Sequence, residues 1–159
     1  MRHAKSSWDN PGLKDFDRPL NKRGERDAPR MGKYLKGLDI YPDQIFASPA
    51  ARAKATILHV INELELPEET ITWDEELYFT GSDAYINAIR RSGSKSNIVM
   101  TVGHNPITEE VIERLIGKNI NKHIATATIA CLQTKADSWG EVDYGSCSLQ
   151  WITKPKEIS

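Results

Sequence analysis

Three short segments place a basic side chain or an imidazole where a strand gives way to a loop or a helix. They are RHA at positions 2–4, SPAARA at 48–53 and GHNP at 103–106. If the strands are neighbours in one sheet, the segments bring together four side chains, Arg2, His3, Arg52 and His104. Guanidinium groups hold phosphate oxygens with forked hydrogen bonds, and a neutral imidazole is a nucleophile. Such a cluster suits the binding and transfer of a phosphoryl group.

The other two histidines have no comparable setting. His59 and His123 are expected to be ordinary surface or partly packed residues. The four histidines show no H-x-x-x-H spacing, and neither cysteine lies close to a histidine. The sequence therefore predicts no metal site.

Alternating helices and strands must position these residues. Hydrophobic periodicity and capping residues predict helices over 22–36, 48–66, 83–93 and 107–117. Asn21, Ser48 and Ser82 are the predicted caps, with Pro49 at a first helical position, while Asn105 and Pro106 open the last helix. Strands are predicted over 44–48, 70–73, 97–102, 128–134 and 147–152. This order predicts a single α/β domain, a three-layer sandwich whose mostly parallel sheet is flanked by helices and has an antiparallel C-terminal edge.

Composition limits the classes of protein. The 159 residues are 39% hydrophobic and 27% charged, as in globular domains, and contain no apolar run long enough to span a membrane. No apolar core of a signal peptide follows Met1, and Cys131 and Cys147 lie in apolar segments, which favours reduced thiols and the cytoplasm.

The charges are unevenly spread although the net charge is −1. Residues 1–36 carry ten Lys or Arg against five Asp or Glu, whereas residues 62–86 carry eight acids and no base. The basic segment could attract anions, or its charges could form the solvated face of a helix. No basic stripe interleaved with aromatic residues indicates nucleic acid.

A set of motifs carries a family resemblance. In this order, MRHAKSSW, RPLNKRGERDAPRMGKYL, IFASPAARAKAT and VGHNP resemble the histidine phosphatase superfamily, specifically its short SixA-type phosphohistidine phosphatase branch. The resemblance covers Met1 to about Leu115 and is weak from Lys118 onward. It implies one histidine-phosphatase-like domain over residues 1–159 and no metal or organic cofactor.

The resemblance also implies roles for individual residues. It assigns the nucleophile to His3 and the phosphate pocket to Arg2, Arg52 and His104, with Ser6 and Asn105 as further candidate phosphate contacts. In the family an apolar strand precedes the Arg-His pair at the centre of the sheet, and here only Met1 precedes Arg2. We therefore expect the natural chain to start upstream of this Met.

The general acid is less well defined. The segment TWDEELYFTG offers Glu75 and Glu76, and less favourably Asp74, as the carboxylic acid used by relatives that cleave alcohol phosphates. The same segment could be an acidic solvated loop. Imidazole leaves phosphohistidine without needing a strong acid, because its conjugate acid has a pKa near 6.5.

Three functions are compatible with these residues. The first is a phosphatase acting on phosphohistidine, or more broadly on a phosphoprotein of the histidine-phosphotransfer type, through a covalent phosphohistidine on His3. The second is a small-molecule phosphomonoesterase or a phosphoglycerate-mutase-like enzyme. The third is a phosphate-binding interaction module without turnover. Phosphate is the shared ligand, and neither nucleic acid nor membrane is an expected partner.

Overall fold

The centre of the protein is a short parallel sheet. The computed structural model describes residues 1–158. Strands β1 (Gln44–Ala47), β2 (Ile71–Trp73) and β3 (Val99–Val102) form this sheet in the order β2-β1-β3. In its register Ala47 lies between Trp73 and Val102, so all three strands end at one edge. The sheet confirms the α/β class predicted from the sequence.

Within residues 1–158, five α-helices pack around the sheet. They are α1 (Lys22–Gly37), α2 (Ala51–Leu64), α3 (Glu76–Phe79), α4 (Ser82–Arg90) and α5 (Ile107–Ile116). One core cluster joins α1 and α2 to the sheet through residues such as Met31 and Ile57, both fully buried. A second cluster around Tyr85 and Val111 joins α4 and α5 to Phe46 of the sheet. None of the helices within residues 1–158 is long and apolar enough to cross a membrane.

The predicted antiparallel edge is a separate two-stranded sheet. It consists of β4 (Ile129–Thr134) and β5 (Cys147–Thr153), which pair antiparallel with an irregularity between Cys131 and Leu132. Both cysteines are free thiols in this structure, and Cys147 is buried. Residues 1–3 lie between this two-stranded sheet and the parallel sheet and form hydrogen bonds toward both.

Residues 1–3 run between β3 and the residue that precedes β4. The His3 N–H donates to the Gly103 carbonyl (3.0 Å), while the Arg2 N–H donates to the Thr128 carbonyl (3.1 Å). The Met1 ammonium donates to the Thr101 carbonyl (2.7 Å), and burial lowers its pKa to about 5. This segment therefore takes the central position predicted for the strand that carries the Arg-His pair. A cavity of about 300 Å³ adjoins it, bordered by residues of both β3 and β4.

Two predicted helix caps are wrong. Helix α2 begins at Ala51, so neither Ser48 caps it nor Pro49 is its first helical residue. Ser48 hydrogen-bonds instead to the backbone N–H of Ala50 and to a histidine ring. Ser82 is the first residue of α4 rather than its cap. By contrast, Asn21 caps α1 as predicted, accepting the Gly24 N–H at 2.9 Å.

Candidate active site

The strand ends bring the three chemical segments together. Ser48 follows β1 directly, and Gly103 and His104 follow β3, beside the Arg2–His3 pair. A side chain at Gly103 would lie 1.8 Å from the Tyr85 hydroxyl, so only glycine fits there. The fold thus places the candidate residues at the carboxyl edge of the parallel sheet, where α/β proteins bind ligands.

The tautomer of His3 is fixed by its two neighbours. Its Nδ1 lies 2.7 Å from the Ala4 carbonyl, which can only accept, so Nδ1 carries the proton. Its Nε2 then holds a lone pair, and Arg52 Nε donates to that nitrogen at 3.3 Å. Burial lowers the pKa of His3 to about 3. At neutral pH the ring is therefore uncharged with Nε2 available as a nucleophile.

Arg52 is held by one acidic residue. Its Nη1 donates to the Asp15 carbonyl (2.8 Å), and its Nη2 donates to Asp15 Oδ2 (3.0 Å). The side chain of Arg52 is 8% exposed. The guanidinium is therefore fixed on its outer edge by Asp15 while its Nε faces His3.

Asp15 itself gathers three donors. Besides Arg52, the Tyr78 hydroxyl donates to Oδ2 (2.7 Å) and Arg18 Nη1 donates to Oδ1 (2.9 Å). Partial burial acts to raise the pKa of Asp15, but these hydrogen bonds outweigh it and hold the pKa well below its usual range. The carboxylate is thus ionised. Sequence inspection assigned no chemistry to Asp15, Arg18 or Tyr78, and the first two stand in the DFDRPL stretch whose last three residues belong to the family motif.

His104 completes the cluster around His3. The two ring centroids are 5.2 Å apart, and the ring of Tyr78 stands edge-on to His104 at 5.4 Å. A hydrogen bond joins His104 Nε2 to Ser48 Oγ (2.8 Å), and burial lowers the pKa of His104 to about 4. Its Nδ1 is buried and has no hydrogen-bond partner among residues 1–158.

Arg2 is anchored from the opposite side. Its Nη1 donates to the Ile124 carbonyl (2.8 Å), which also accepts from the Asn105 side-chain amide (2.9 Å). Arg2 Nε is buried without a partner in the described part of the chain. Unpartnered buried donors are rare in folded proteins, and each one requires an explanation.

The backbone around His3 is packed between two helices. Ala4 is fully buried, and its N–H donates to Thr56 Oγ1 of α2 (2.9 Å). On the other side, α1 approaches so closely that a Cβ atom at Gly24 would lie 2.2 Å from the Lys5 carbonyl oxygen. His3 thus lies on a closely packed segment, which would suit a reaction at a fixed centre.

Comparison with known proteins identifies the family. The model of the histidine phosphatase superfamily, branch 1, matches residues 1–78. An uncharacterized protein of Mycobacterium tuberculosis is 30% identical over 165 aligned residues, which cover 98% of this chain and 100% of that protein. The chain belongs to the histidine phosphatase superfamily.

Two further relatives are named SixA. The phosphohistidine phosphatase SixA of Escherichia coli is 28% identical over 134 residues, covering 82% of this chain and 80% of that one. The crystal structure of a protein named SixA from Agrobacterium tumefaciens superposes with a TM-score of 0.83 at 28% identity, covering 98% and 95% of the two chains. The fold of this histidine phosphatase superfamily member is therefore the SixA fold.

Two predicted phosphate contacts are engaged with protein groups. Ser6 is buried and its Oγ accepts a hydrogen bond from Arg18 Nη2, while the guanidinium of Arg18 lies over the ring of Trp8. Asn105 donates to Glu109 Oε1 (3.0 Å) as well as to Ile124, and its own Oδ1 is unpartnered within residues 1–158. Both side chains are therefore linked indirectly to the predicted phosphate pocket. Ser6 binds Arg18, which shares Asp15 with Arg52. Asn105 shares the Ile124 carbonyl with Arg2.

The predicted general acids lie at the start of the short helix α3. Glu75 and Glu76 are exposed, and within residues 1–158 neither side chain hydrogen-bonds to His3, Arg52 or His104. Asp74 pairs with Arg91. From the same segment it is Tyr78 that enters the site.

The assembled groups combine an imidazole with permanent cations. No group of three or more His, Cys, Asp or Glu side chains arranged to hold a metal ion occurs in the described residues. The neutral imidazole of His3 has the Arg52 guanidinium bonded to its Nε2 and the charge of Arg2 nearby. Such a pair of cations stabilises the charge of the equatorial oxygens during phosphoryl transfer.

Proposed function

We propose that this protein removes phosphate from phosphohistidine in protein substrates, with His3 as the nucleophile. The observation that carries the proposal is the state of His3: Nδ1 donates to the Ala4 carbonyl while Nε2, unprotonated, faces Arg52. An imidazole with a pKa lowered to about 3 is a free nucleophile throughout the physiological range.

The reaction proceeds in two displacements. His3 Nε2 attacks the phosphorus of a phosphohistidine whose other ring nitrogen is protonated. The P–N bond to the substrate breaks and its electron pair stays on the leaving nitrogen, so a neutral imidazole departs. Water then attacks the phosphorus on His3, a water proton is released, and the electron pair of the second P–N bond returns to Nε2 with inorganic phosphate as product. Splitting one difficult displacement into two easier ones is the advantage of the covalent intermediate.

Charge stabilisation comes from three side chains. Arg2 and Arg52 flank His3 with permanent positive charges, and the two arginines also oppose protonation of His3. His104 is uncharged in the substrate-free protein, because burial lowers its pKa to about 4. A phosphate dianion raises the pKa of an adjacent imidazole, so binding would allow His104 to donate as a cation.

The state of the nearby carboxylates favours cleavage of a P–N bond over cleavage of a P–O bond. An alkoxide leaving group needs a proton as the bond breaks, whereas an imidazole already protonated at its other ring nitrogen leaves as a neutral base. Asp15 is ionised and bound to three donors, so it is a poor acid. Within residues 1–158, the side chains of Glu75 and Glu76 form no hydrogen bond with His3, Arg52 or His104. The E. coli relative of 28% identity carries the name phosphohistidine phosphatase, which agrees with this preference.

The deciding experiment compares three substrates. Release of phosphate is measured from a phosphohistidine peptide, a phosphoserine peptide of the same sequence and p-nitrophenyl phosphate, with EDTA present. We expect the phosphohistidine peptide to be preferred over the phosphoserine peptide by at least about 100-fold in kcat/KM, since an unassisted alkoxide must leave. The variant His3→Ala should lose turnover of all three.

Two controls separate the competing functions. His59→Ala removes an imidazole that pairs with Glu25 on the surface and should leave activity unchanged. Preference for the phosphoserine peptide would instead indicate a phosphomonoesterase. Tight binding of phosphate with neither turnover nor covalent phosphate on His3 would indicate a binding module. Either result would contradict the proposed function.

A further inference from the structure

A basic groove lies along the first turns of α1. It encloses about 130 Å³ between that helix, residues 125–126 and the C-terminal segment 154–156. Five basic side chains line it, Arg23, Arg26, Arg30, Lys154 and Lys156, against one acid, Asp27. The lining residues therefore carry a large excess of positive charge in a chain whose net charge is −1.

The buried carboxylate of Asp27 pairs with three of these arginines. Its carboxylate is 2% exposed and lies 3.4 Å from Arg23 Nε, 3.2 Å from Arg26 Nε and 3.9 Å from Arg30 Nη1. The three arginine side chains remain 37–63% exposed. One buried acid thus fixes three guanidinium groups in a fan, and each keeps hydrogen-bond donors for a further partner.

The helix dipole does not favour this arrangement. The positive end of a helix dipole lies at its N-terminus, where basic side chains are unfavourable. Nevertheless, α1 begins with Lys22 and Arg23, followed one turn later by Arg26. Mutual repulsion of the five cations adds a second cost that an anionic partner would remove.

The groove borders the segment that carries the nucleophile. The Ala127 N–H donates to the His3 carbonyl (3.0 Å), immediately after groove residues 125–126. Ile124, just before them, accepts from Arg2. Helix α1 also contacts Lys5 through Gly24, directly after Arg23. The groove residues are therefore adjacent in the chain to the backbone groups that bind Arg2 and His3.

We propose that the basic groove docks an acidic segment of the phosphoprotein substrate beside its phosphohistidine. The proposal rests on the proposed function, because the partner is the substrate of that same site. Aspartate and glutamate side chains are its chemical signature, paired with the arginine fan and with Lys154 and Lys156. Charged contacts of this kind increase the association rate and are sensitive to salt.

The test uses synthetic phosphohistidine peptides. Four aspartates are placed two, five or eight residues from the phosphohistidine, spacings that reach roughly 7–26 Å in an extended chain. A matched set replaces the aspartates with serine. At low salt we expect at least one acidic peptide to exceed its serine counterpart about tenfold in kcat/KM, and the ratio to fall as salt rises.

A pair of charge-matched variants locates the effect. Arg26→Gln with Lys156→Glu should bring the ratio close to one while leaving turnover of p-nitrophenyl phosphate unchanged. Lys95→Glu with Lys118→Gln, both exposed positions outside the groove, makes the same change in net charge and should keep the preference. Equal loss in both variants would overturn the proposal, since it would reflect net charge alone.

Binding is measured separately from turnover. Fluorescence anisotropy of the labelled, unphosphorylated acidic peptides should show salt-sensitive binding that the groove variant loses and the control variant keeps. Binding that both variants retain would overturn the docking site. If no phosphohistidine peptide is hydrolysed although the acidic peptide binds the groove, the proposed function fails and the docking site stands. If phosphohistidine peptides are hydrolysed without any preference for acidic residues and no acidic peptide binds the groove, the docking site fails and the proposed function stands.

Discussion

Arg52 Nε donates to Nε2 of His3 at 3.3 Å. This is the nitrogen that attacks phosphorus in the proposed reaction. The contact opposes protonation of the imidazole, since a nearby positive charge disfavours a second one. In the proposed reaction the same guanidinium would also hold an oxygen of the phosphoryl group.

Replacing Arg52 tests that double role. Arg52→Ala should lower kcat by about 100-fold or more, the usual effect of removing one donor at a developing oxyanion. Arg52→Lys should recover little, because lysine cannot contact His3, Asp15 and phosphate with one planar group. The measurement is steady-state hydrolysis of a phosphohistidine peptide, with Arg90→Ala as a control away from the site. Recovery of wild-type kcat by lysine would contradict a geometric role for the guanidinium.

Asp15 should act as a positioning residue. Asp15→Asn keeps the size of the side chain but removes the charge that faces Arg18, Arg52 and the Tyr78 hydroxyl. We expect kcat/KM to fall by about tenfold, from loss of a charge-assisted hydrogen bond of roughly 1.5 kcal/mol. Asp17→Asn, two residues away, should have no effect. The pH profile separates roles, because an acid-base role would remove one limb of the profile whereas a positioning role lowers the whole curve.

The predicted acids provide a third test. Glu75→Gln and Glu76→Gln should each change kcat for a phosphohistidine peptide by less than about threefold, because general acid catalysis contributes about 100-fold where it operates and both side chains are exposed. Tyr78→Phe, in the same segment, should lower activity more, since its hydroxyl holds Asp15. A 100-fold loss in either glutamate variant would show that the segment moves over the site.

Sequence reasoning found the residues that stand at strand ends. His3, Arg52 and His104 were predicted to converge because parallel strands end at one edge of a sheet, and β1 and β3 do so. These features depend on local signals and on one topological rule.

Contacts made by loops could not be found in the same way. Asp15 meets Arg52 across 37 residues and Tyr78 across 63 residues of sequence. No spacing or periodicity encodes such a meeting, because it depends on how two irregular segments fold over the sheet. Ser48 was misread for a related reason: a serine before proline is typical of a helix cap, and the histidine that binds it lies 56 residues away.

The ionisation of His104 should depend on phosphate. In the free protein its pKa is about 4, because burial lowers it, so the ring stays neutral from about pH 5 upward. Saturating inorganic phosphate should raise this pKa by at least one unit, since a neighbouring anion favours the cation. Titration of the ring by NMR, with and without phosphate, measures the shift. His59, whose ring pairs with Glu25 away from the site, is the internal control, and an equal shift at both residues would contradict binding at the site.

The same low pKa values make stability depend on pH. In the unfolded chain a histidine takes up its proton near pH 6.5, whereas His104 in the folded protein does so near 4. The unfolded state thus binds more protons between these values, and the folded state loses about 1.4 kcal/mol per pH unit from this group as the pH falls. His104→Gln should unfold with a shallower pH dependence in urea titrations between pH 6 and 4.5. An unchanged slope would show that His104 is already protonated in the native state.

The close contact between α1 and the catalytic segment should link stability to activity. In Gly24→Ala the new Cβ would meet the Lys5 carbonyl oxygen at 2.2 Å, so the helix or residues 3–5 must move. Overpacking of this kind costs about 1–3 kcal/mol, more than the helix gains from alanine, and a displaced His3 should also lower kcat. The matched control is Gly37→Ala at the other end of α1, where nothing lies within 4 Å of the added methyl group. That variant should be as stable as the wild type or more stable, with unchanged kcat. If Gly24→Ala matched it in urea unfolding and in turnover, the segment that bears His3 would be less rigid than its packing against Gly24 and Thr56 indicates.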